Sequence, residues 1–60
     1  MNFTTKYNIG DTVADGGFIF TVASIGIWYE DGTTRIRYYG TTTNGYKWWA
    51  YEENLQLVDA

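Results

Sequence analysis

The dipeptide Asp31-Gly32 constrains the fold of this chain more than any other feature. It lies between IGIWYE and TTRIRYY, two segments rich in the β-branched and aromatic residues that are typical of strands. An Asp-Gly pair accepts the positive φ angles of a type I′ turn, and this two-residue loop joins antiparallel strands in a tight hairpin. We therefore predict a hairpin in which Ile27 faces Ile36 and Trp28 faces Arg35.

The predicted hairpin separates its side chains onto two faces, because successive residues of a strand point to opposite sides. One face, called the inner face, carries Ile25, Ile27, Tyr29, Ile36 and Tyr38. The opposite face, called the outer face, carries Trp28, Glu30, Arg35, Arg37 and Tyr39. The apolar character of the inner face predicts that it covers the core.

A second turn signal, Asn44-Gly45, predicts another hairpin with the segment YKWWAYEE. A two-residue loop at this pair places Arg37 opposite Glu52, Trp49 on the inner face and Trp48 on the outer face, and we adopt this register. A loop with an odd number of residues, or a bulge in the threonine run before the turn, exchanges the two tryptophans, because a shift by one residue moves each side chain to the other face. Which tryptophan is buried therefore stays open in the sequence.

The remaining segments predict further short strands. The parity of the bulky residues in GGFIFTVASIGIW changes between Phe20 and Ile25, which requires a bend or bulge near Ala23-Ser24. Additional strands are expected near residues 11–14 and 55–58, with a single helical turn just before the last strand. This pattern predicts five short strands joined by tight turns.

A chain of 60 residues forms one small domain, and 20% of these residues are aromatic. Each large ring buries ~150–250 Å², so a few rings supply much of a small core. Residues 1–8 are predicted to be a flexible arm or an edge strand. The expected core consists of Val13, Phe18, Phe20, Val22, Ile25, Ile27, Ile36, Tyr38, Trp49, Tyr51, Leu55 and Val58.

Three stretches carry a resemblance to a known group of domains. They are IGDTV at residues 9–13, the long bent strand that follows, and WWAYEENLQLV at residues 48–58, in which a single turn leads into the last strand. The chain resembles the small SH3-like barrels, a group that includes Tudor and KOW domains, and it is most similar to short phage and bacterial accessory domains. The resemblance implies an all-β, five-stranded SH3-like barrel that serves as a binding or structural module.

The chain departs from two members of this group. KOW domains meet nucleic acid through a basic surface, whereas this chain has a net charge of −3. Peptide-binding SH3 domains carry an ALYDY-type motif and a proline-binding set of aromatic residues, whereas this chain has no such motif and no proline.

The residue inventory argues against catalysis. The chain has no His and no Cys, so it lacks the commonest metal ligands and the usual proton carrier near neutral pH. Ser24, the only serine, has no histidine to activate it. The carboxylate pairs Glu52-Glu53 and Glu30-Asp31 are interpreted as solubilising charges and turn formers. We therefore expect no enzymatic activity, no metal and no cofactor, and the absence of a membrane-span or signal-peptide pattern predicts a cytoplasmic protein.

The candidate binding residues lie on the predicted outer face and are Trp28, Arg35, Arg37, Tyr39 and Trp48. Large rings on a solvent-facing surface leave apolar area uncovered, and such patches often mark partner surfaces. The leading prediction is a protein partner or self-association, with residues 4–7 and 55–58 as the expected sheet edges. The alternative is single-stranded nucleic acid, whose bases stack on rings beside arginine, although the net negative charge disfavours it.

Two other interpretations of the same rings stay open. The rings of Trp28, Tyr39 and Trp48 are the right residue types for a cage around a methylated ammonium group. Alternatively the outer face is cross-strand packing alone, with Trp28 stacked on Arg35 and the second arginine neutralised by Glu52.

Overall fold

The computed structural model describes residues 4–58, and the parts of the predictions that fall on residues 1–3 and 59–60 lie outside this range. The described chain is one antiparallel sheet of five strands in the order β4-β3-β2-β1-β5. The strands are β1 (Thr12–Asp15), β2 (Phe18–Glu30), β3 (Thr33–Thr42), β4 (Lys47–Tyr51) and β5 (Gln56–Leu57), with a 3-10 helix at Glu52–Asn54. The predicted all-β class, the five strands and the single helical turn before the last strand are confirmed.

The first hairpin forms as its turn chemistry predicts. Asp31 has a φ of 52° and Gly32 a φ of 75°, as a type I′ turn requires. Ile27 lies opposite Ile36 and Trp28 lies opposite Arg35. The register of β2 against β3 shifts between Val22 and Ser24, which confirms the predicted bend in the long strand.

The second hairpin has a three-residue loop, so the predicted two-residue loop is wrong. The N–H of Thr42 donates to the carbonyl of Tyr46 at 2.7 Å, the N–H of Gly45 donates to the carbonyl of Thr42 at 2.9 Å, and Gly45 has a φ of 88°. These features define a type I turn followed by a glycine bulge. The register moves by one residue, and Gly40 lies opposite Trp48.

The core lies under the inner face and contains two residues that the sequence pattern did not predict, Tyr7 and Ala50. The buried residues are Tyr7, Val13, Phe20, Val22, Tyr38, Ala50 and Leu55, with Ile25, Ile36 and Trp48 packed against them. Expected core residues that are instead exposed are Phe18, Ile27 and Trp49, and Tyr51, also expected in the core, is half-buried opposite Arg37 on the outer face. Two causes explain most of the difference: the one-residue shift in β4, and the length of the first hairpin.

The segment around Tyr7 is neither a strand nor a loose arm in its described part. The N–H of Tyr7 donates to the hydroxyl of Tyr38 at 3.1 Å, and the hydroxyl of Tyr7 donates to the carbonyl of Leu55 at 2.8 Å. The rings of Tyr7 and Tyr38 meet edge to face at 5.3 Å. Tyr7 therefore joins the start of the chain to the centre of β3 and to the segment before β5.

The sheet does not close into the predicted barrel, because β4 and β5 are its two edges. The edge predicted at residues 55–58 holds for β5, whereas residues 4–7 form no strand. β1 pairs with β2 only over residues 18–21, and β4 pairs with β3 only over residues 37–41. The turn end of the β2–β3 hairpin therefore projects beyond its neighbours, and the molecule measures 35 × 19 × 17 Å. Within residues 4–58 no helix is long and apolar enough to cross a membrane.

Candidate functional site

The outer face gathers aromatic rings from three strands around the guanidinium group of Arg37. The Cζ atom of Arg37 lies 4.3 Å from the ring centroid of Trp28, 4.9 Å from that of Trp49 and 5.2 Å from that of Tyr51. Its Nη2 atom donates to the hydroxyl of Tyr51 at 3.2 Å. We call Trp28, Arg37, Tyr39, Trp49 and Tyr51 the Arg37 cluster.

The rings of the cluster can lie close to the sheet because β2 has a glycine beneath them. A Cβ atom at Gly26 would lie 3.0 Å from the ring of Tyr39 and 3.2 Å from the ring of Trp28. The neighbouring rings continue this layer, with centroids of Tyr39 and Trp49 6.4 Å apart and those of Trp49 and Tyr51 5.4 Å apart. The cluster is thus a continuous aromatic layer with one cation inside it.

Ring faces and hydroxyl groups stabilise the positive charge of Arg37. Hydrogen bonding by the hydroxyls of Tyr39 and Tyr51 raises the pKa of Arg37. Within the described residues no carboxylate lies within ion-pair distance of Arg37, and its buried Nε atom has no hydrogen-bond partner. The predicted pairing of Arg37 with Glu52 is wrong, because Glu52 accepts hydrogen bonds from the Tyr38 hydroxyl at 2.7 Å and from the Lys6 N–H at 3.0 Å.

Arg35, in contrast, is neutralised. Its Nη2 atom lies 2.7 Å from a carboxylate oxygen of Glu53, and its Cζ atom lies 3.9 Å from the ring centroid of Tyr51. The backbone amide of Glu53 itself, followed by Arg35, lowers the pKa of the Glu53 carboxyl group. The predicted stacking of Trp28 on Arg35 is also wrong: the guanidinium group that lies over Trp28 belongs to Arg37, two residues further along β3.

Trp48 lies on the inner side, so its predicted place in the outer site is wrong. Its ring stacks on Phe18 with centroids 4.2 Å apart, and its Nε1 atom donates to Asp15 at 3.2 Å. Trp49, which was predicted to be buried, takes its place on the outer face. Gly45 is compatible with the three-residue loop that moves Trp49 outward, since glycine readily adopts the left-handed conformation that such a loop needs, but the Asn44-Gly45 pair suits a two-residue loop equally well.

A groove adjoins the Arg37 cluster beside the bulge of β2. It has a volume of about 330 Å³, and Tyr39 and Trp49 of the cluster are among its lining residues. Its other lining residues are Ala23, Ser24, Gly40, Thr41, Lys47 and Trp48. Lys47 is exposed and, among residues 4–58, has no carboxylate within ion-pair distance. The outer face therefore presents two unneutralised cations, Arg37 and Lys47, on a chain whose net charge is −3.

Of the predicted site residues, the structure brings Trp28, Arg35, Arg37 and Tyr39 together on one face and removes Trp48 from them. In the part of the chain that the structure describes, no three acidic side chains are close enough to hold a metal ion together. Comparison with protein-family models, with curated proteins and with solved structures finds no match to this chain.

Proposed function

We propose that this chain is a non-catalytic protein-interaction module that binds its partner through the Arg37 cluster and the adjoining groove. The observation that carries the proposal is a pair of half-exposed tryptophans beside an arginine without a carboxylate partner. Trp28 is 45% exposed and Trp49 is 47% exposed, on either side of Arg37. Tryptophan, tyrosine and arginine are the residue types that contribute most to binding at protein interfaces.

The charges of the outer face favour a partner segment with apolar side chains and carboxylates. The groove offers apolar ring surface to a side chain, and its lining residue Lys47 carries unneutralised charge, as does Arg37 in the adjoining cluster. Complementary charges speed association and determine which partners are accepted. The resemblance to short SH3-like accessory domains of phages and bacteria implies the same kind of role, a module that holds another protein.

Synthetic peptides that alternate leucine with glutamate, lysine or glutamine provide the test. We expect the glutamate peptide to bind most tightly and to change the NMR signals of the indole groups of Trp28 and Trp49. Trp49→Ala should weaken this binding by about tenfold or more, the loss typical of a central interface ring. Tyr46→Ala is the matched control, because Tyr46 is 70% exposed and lies outside the cluster. A folded Trp49→Ala protein that binds the peptide as tightly as the parent contradicts the proposal.

Single-stranded nucleic acid is the second candidate, and the placement of the acidic residues favours it. Two carboxylates that would repel phosphates are engaged elsewhere, Glu53 with Arg35 and Glu52 with Tyr38 and the Lys6 amide, whereas Glu30 stays exposed on the outer face two residues from Trp28. Bases stacked on Trp28 and Trp49 would each contribute ~1–3 kcal/mol. An oligothymidylate titration separates the candidates: binding that falls steeply with salt, together with no binding of the glutamate peptide, replaces the protein partner with nucleic acid.

A further inference from the structure

One edge of β2 is unpaired where the first hairpin projects from the sheet. β1 pairs with β2 over residues 18–21, and residues 10 and 11 extend this contact to Val22. Beyond the bulge, β3 occupies the other edge of β2 as far as Glu30. No backbone group of residues 4–58 pairs with the first edge over residues 24–30. An unpaired strand edge is a template for another strand.

The turn geometry identifies the backbone groups on this edge. In a hairpin with a two-residue loop, the residues that flank the turn form a hydrogen-bonded pair, and hydrogen-bonded and non-hydrogen-bonded pairs alternate from there. Glu30 flanks the turn, so Trp28 and Gly26 also bond across to β3. The N–H and C=O groups of Ile25, Ile27 and Tyr29 therefore point away from β3, towards the free edge.

The same three residues place apolar side chains on the inner face at this edge. Ile27 is 44% exposed and Tyr29 is 76% exposed, because the covering strands end before they reach the turn. Natural edge strands are usually protected by lysine, proline, a bulge or an inward-pointing charge. Residues 24–29 read SIGIWY and contain no charge and no proline, and the bulge lies before them.

We propose that this edge binds a second copy of the chain, forming a symmetric dimer in which the two β2 strands pair antiparallel about Ile27. Ile27 of one copy then faces Ile27 of the other, and Ile25 faces Tyr29 of the second copy. These are the three residues whose backbone groups point outward, so each pair exchanges its hydrogen bonds. Their side chains form one apolar row on the inner face of the joined sheet.

The register follows from the boundaries of the free edge. Ile27 is the midpoint of residues 24–30, so pairing about it uses the whole edge. Pairing about Tyr29 sets Ile27 against Asp31, which is inside the turn. Pairing about Ile25 sets Ile27 against Ala23, at the bulge. A slip by one residue would place apolar side chains against the opposite face.

The charges are compatible with a second copy in this register. Glu30 falls opposite Ser24 of the other copy, so the two Glu30 carboxylates lie at opposite ends of the contact. Each copy carries a net charge of −3, so added salt should screen the remaining repulsion and strengthen the dimer. One strand edge with two exposed apolar side chains on the inner face is smaller than a standard interface of about 800 Å² per partner, so dimerisation should depend on concentration.

The test is sedimentation of the full chain over a range of concentrations at low and high salt. We expect a monomer–dimer equilibrium that shifts towards dimer with salt, and amide exchange that slows with concentration at Ile25, Ile27 and Tyr29. Ile27→Lys places two like charges on the symmetry axis and should weaken the dimer by about tenfold or more. Ile19→Lys is the matched control, since Ile19 is 38% exposed and is covered at its edge by Ala14 of β1.

Three results of these experiments would overturn the proposed dimer. A chain that stays monomeric up to about 1 mM overturns the proposal and leaves the edge available to a foreign strand. A dimer whose protected amides lie in β4 or β5 also overturns it, as does equal weakening by Ile27→Lys and Ile19→Lys. Circular dichroism of both variants establishes that the fold persists, and if Ile27→Lys does not fold, the concentration dependence of amide exchange in the parent chain decides the question.

Discussion

Substitution of Gly40 by alanine tests the central packing of β3 against β2 more severely than any other single change. Gly40 lies opposite Val22, directly beside the bulge of β2. A Cβ atom at this position would overlap the carbonyl oxygen of Thr21 and would lie 2.7 Å from the Phe20 ring and 2.8 Å from the Thr21 carbonyl carbon. Ordinary contacts of a Cβ atom lie at 3.4–4 Å, so the two strands have to separate.

The expected loss in the free energy of unfolding follows from the cost of separating these two strands. Overpacking a well-filled site costs ~1–3 kcal/mol, and each ladder hydrogen bond that is weakened adds ~0.5–1.5 kcal/mol. The Thr21 carbonyl belongs to the backbone and Phe20 is fully buried, so neither neighbour can turn aside. We expect a loss of about 3 kcal/mol or more in the free energy of unfolding. A domain of this size has only about 3–9 kcal/mol in total, so the substitution should remove about a third or more of its stability.

Urea unfolding followed by tryptophan fluorescence and circular dichroism measures this loss. Gly17→Ala is the matched control, because nothing lies within 4 Å of a Cβ atom at Gly17 and its φ is not in the left-handed region. The control should change the free energy of unfolding by less than about 0.5 kcal/mol. A Gly40→Ala protein within about 1 kcal/mol of the parent would refute the close approach of the two strands.

Two further substitutions test the polar contacts. Tyr38→Phe removes the hydroxyl that joins the Tyr7 amide to Glu52, and it should cost about 1–3 kcal/mol in urea unfolding at neutral pH, because a buried donor is left without a partner. Burial raises the pKa of Tyr38, so the hydroxyl ionises at lower pH in the unfolded chain than in the folded protein. The parent protein should therefore lose stability as the pH rises above about 10, and Tyr38→Phe should lack this part of the decline. A variant whose stability falls with pH as steeply as that of the parent would contradict the buried hydroxyl. Glu53→Gln should change the free energy of unfolding by less than about 1 kcal/mol, since the ion pair of Glu53 with Arg35 is solvent-exposed. It should also tighten binding of the glutamate peptide, because Arg35 is no longer neutralised. A large loss of stability would show that the ion pair has a structural role.

Local turn chemistry explains why much of the fold could be predicted from the sequence. Asp31-Gly32 is compatible with one short loop, so the register of β2 against β3 follows residue by residue, and Trp28 and Arg37 fall on the same face. The change of side-chain parity near Ala23-Ser24 likewise leaves only a bend or bulge as an explanation. Both inferences depend on residues that are neighbours in the sequence.

The errors in the prediction arise where distant parts of the chain decide the outcome. Asn44-Gly45 suits a two-residue turn and also the end of a three-residue loop, so the turn alone does not identify Trp49 as the outer tryptophan. Tyr7 is buried because it reaches Tyr38 across the fold, which no local pattern signals. Ile27 belongs to the alternating apolar residues of the inner face, as a core residue would. It is exposed because β1 and β4 end before they reach it.

The two proposed surfaces share the β2–β3 hairpin, the Arg37 cluster also extends onto β4, and the two surfaces are compatible with each other. In the proposed dimer Ile27 faces its own copy across the joined sheet, so both inner faces lie on one side and both outer faces on the other. Both copies of the Arg37 cluster would then be displayed on one surface, with Trp28 opposite Gly26 of the second copy at the joined edge and Trp49 two strands away from it on β4. A partner with two matching segments would bind its second site intramolecularly, and avidity could exceed the affinity of one cluster by about 10²–10⁴. Even a weak dimer would thereby raise the avidity for a two-site partner. Ile27→Lys should remove this gain in avidity, while the affinity of each cluster for a single short peptide stays unchanged.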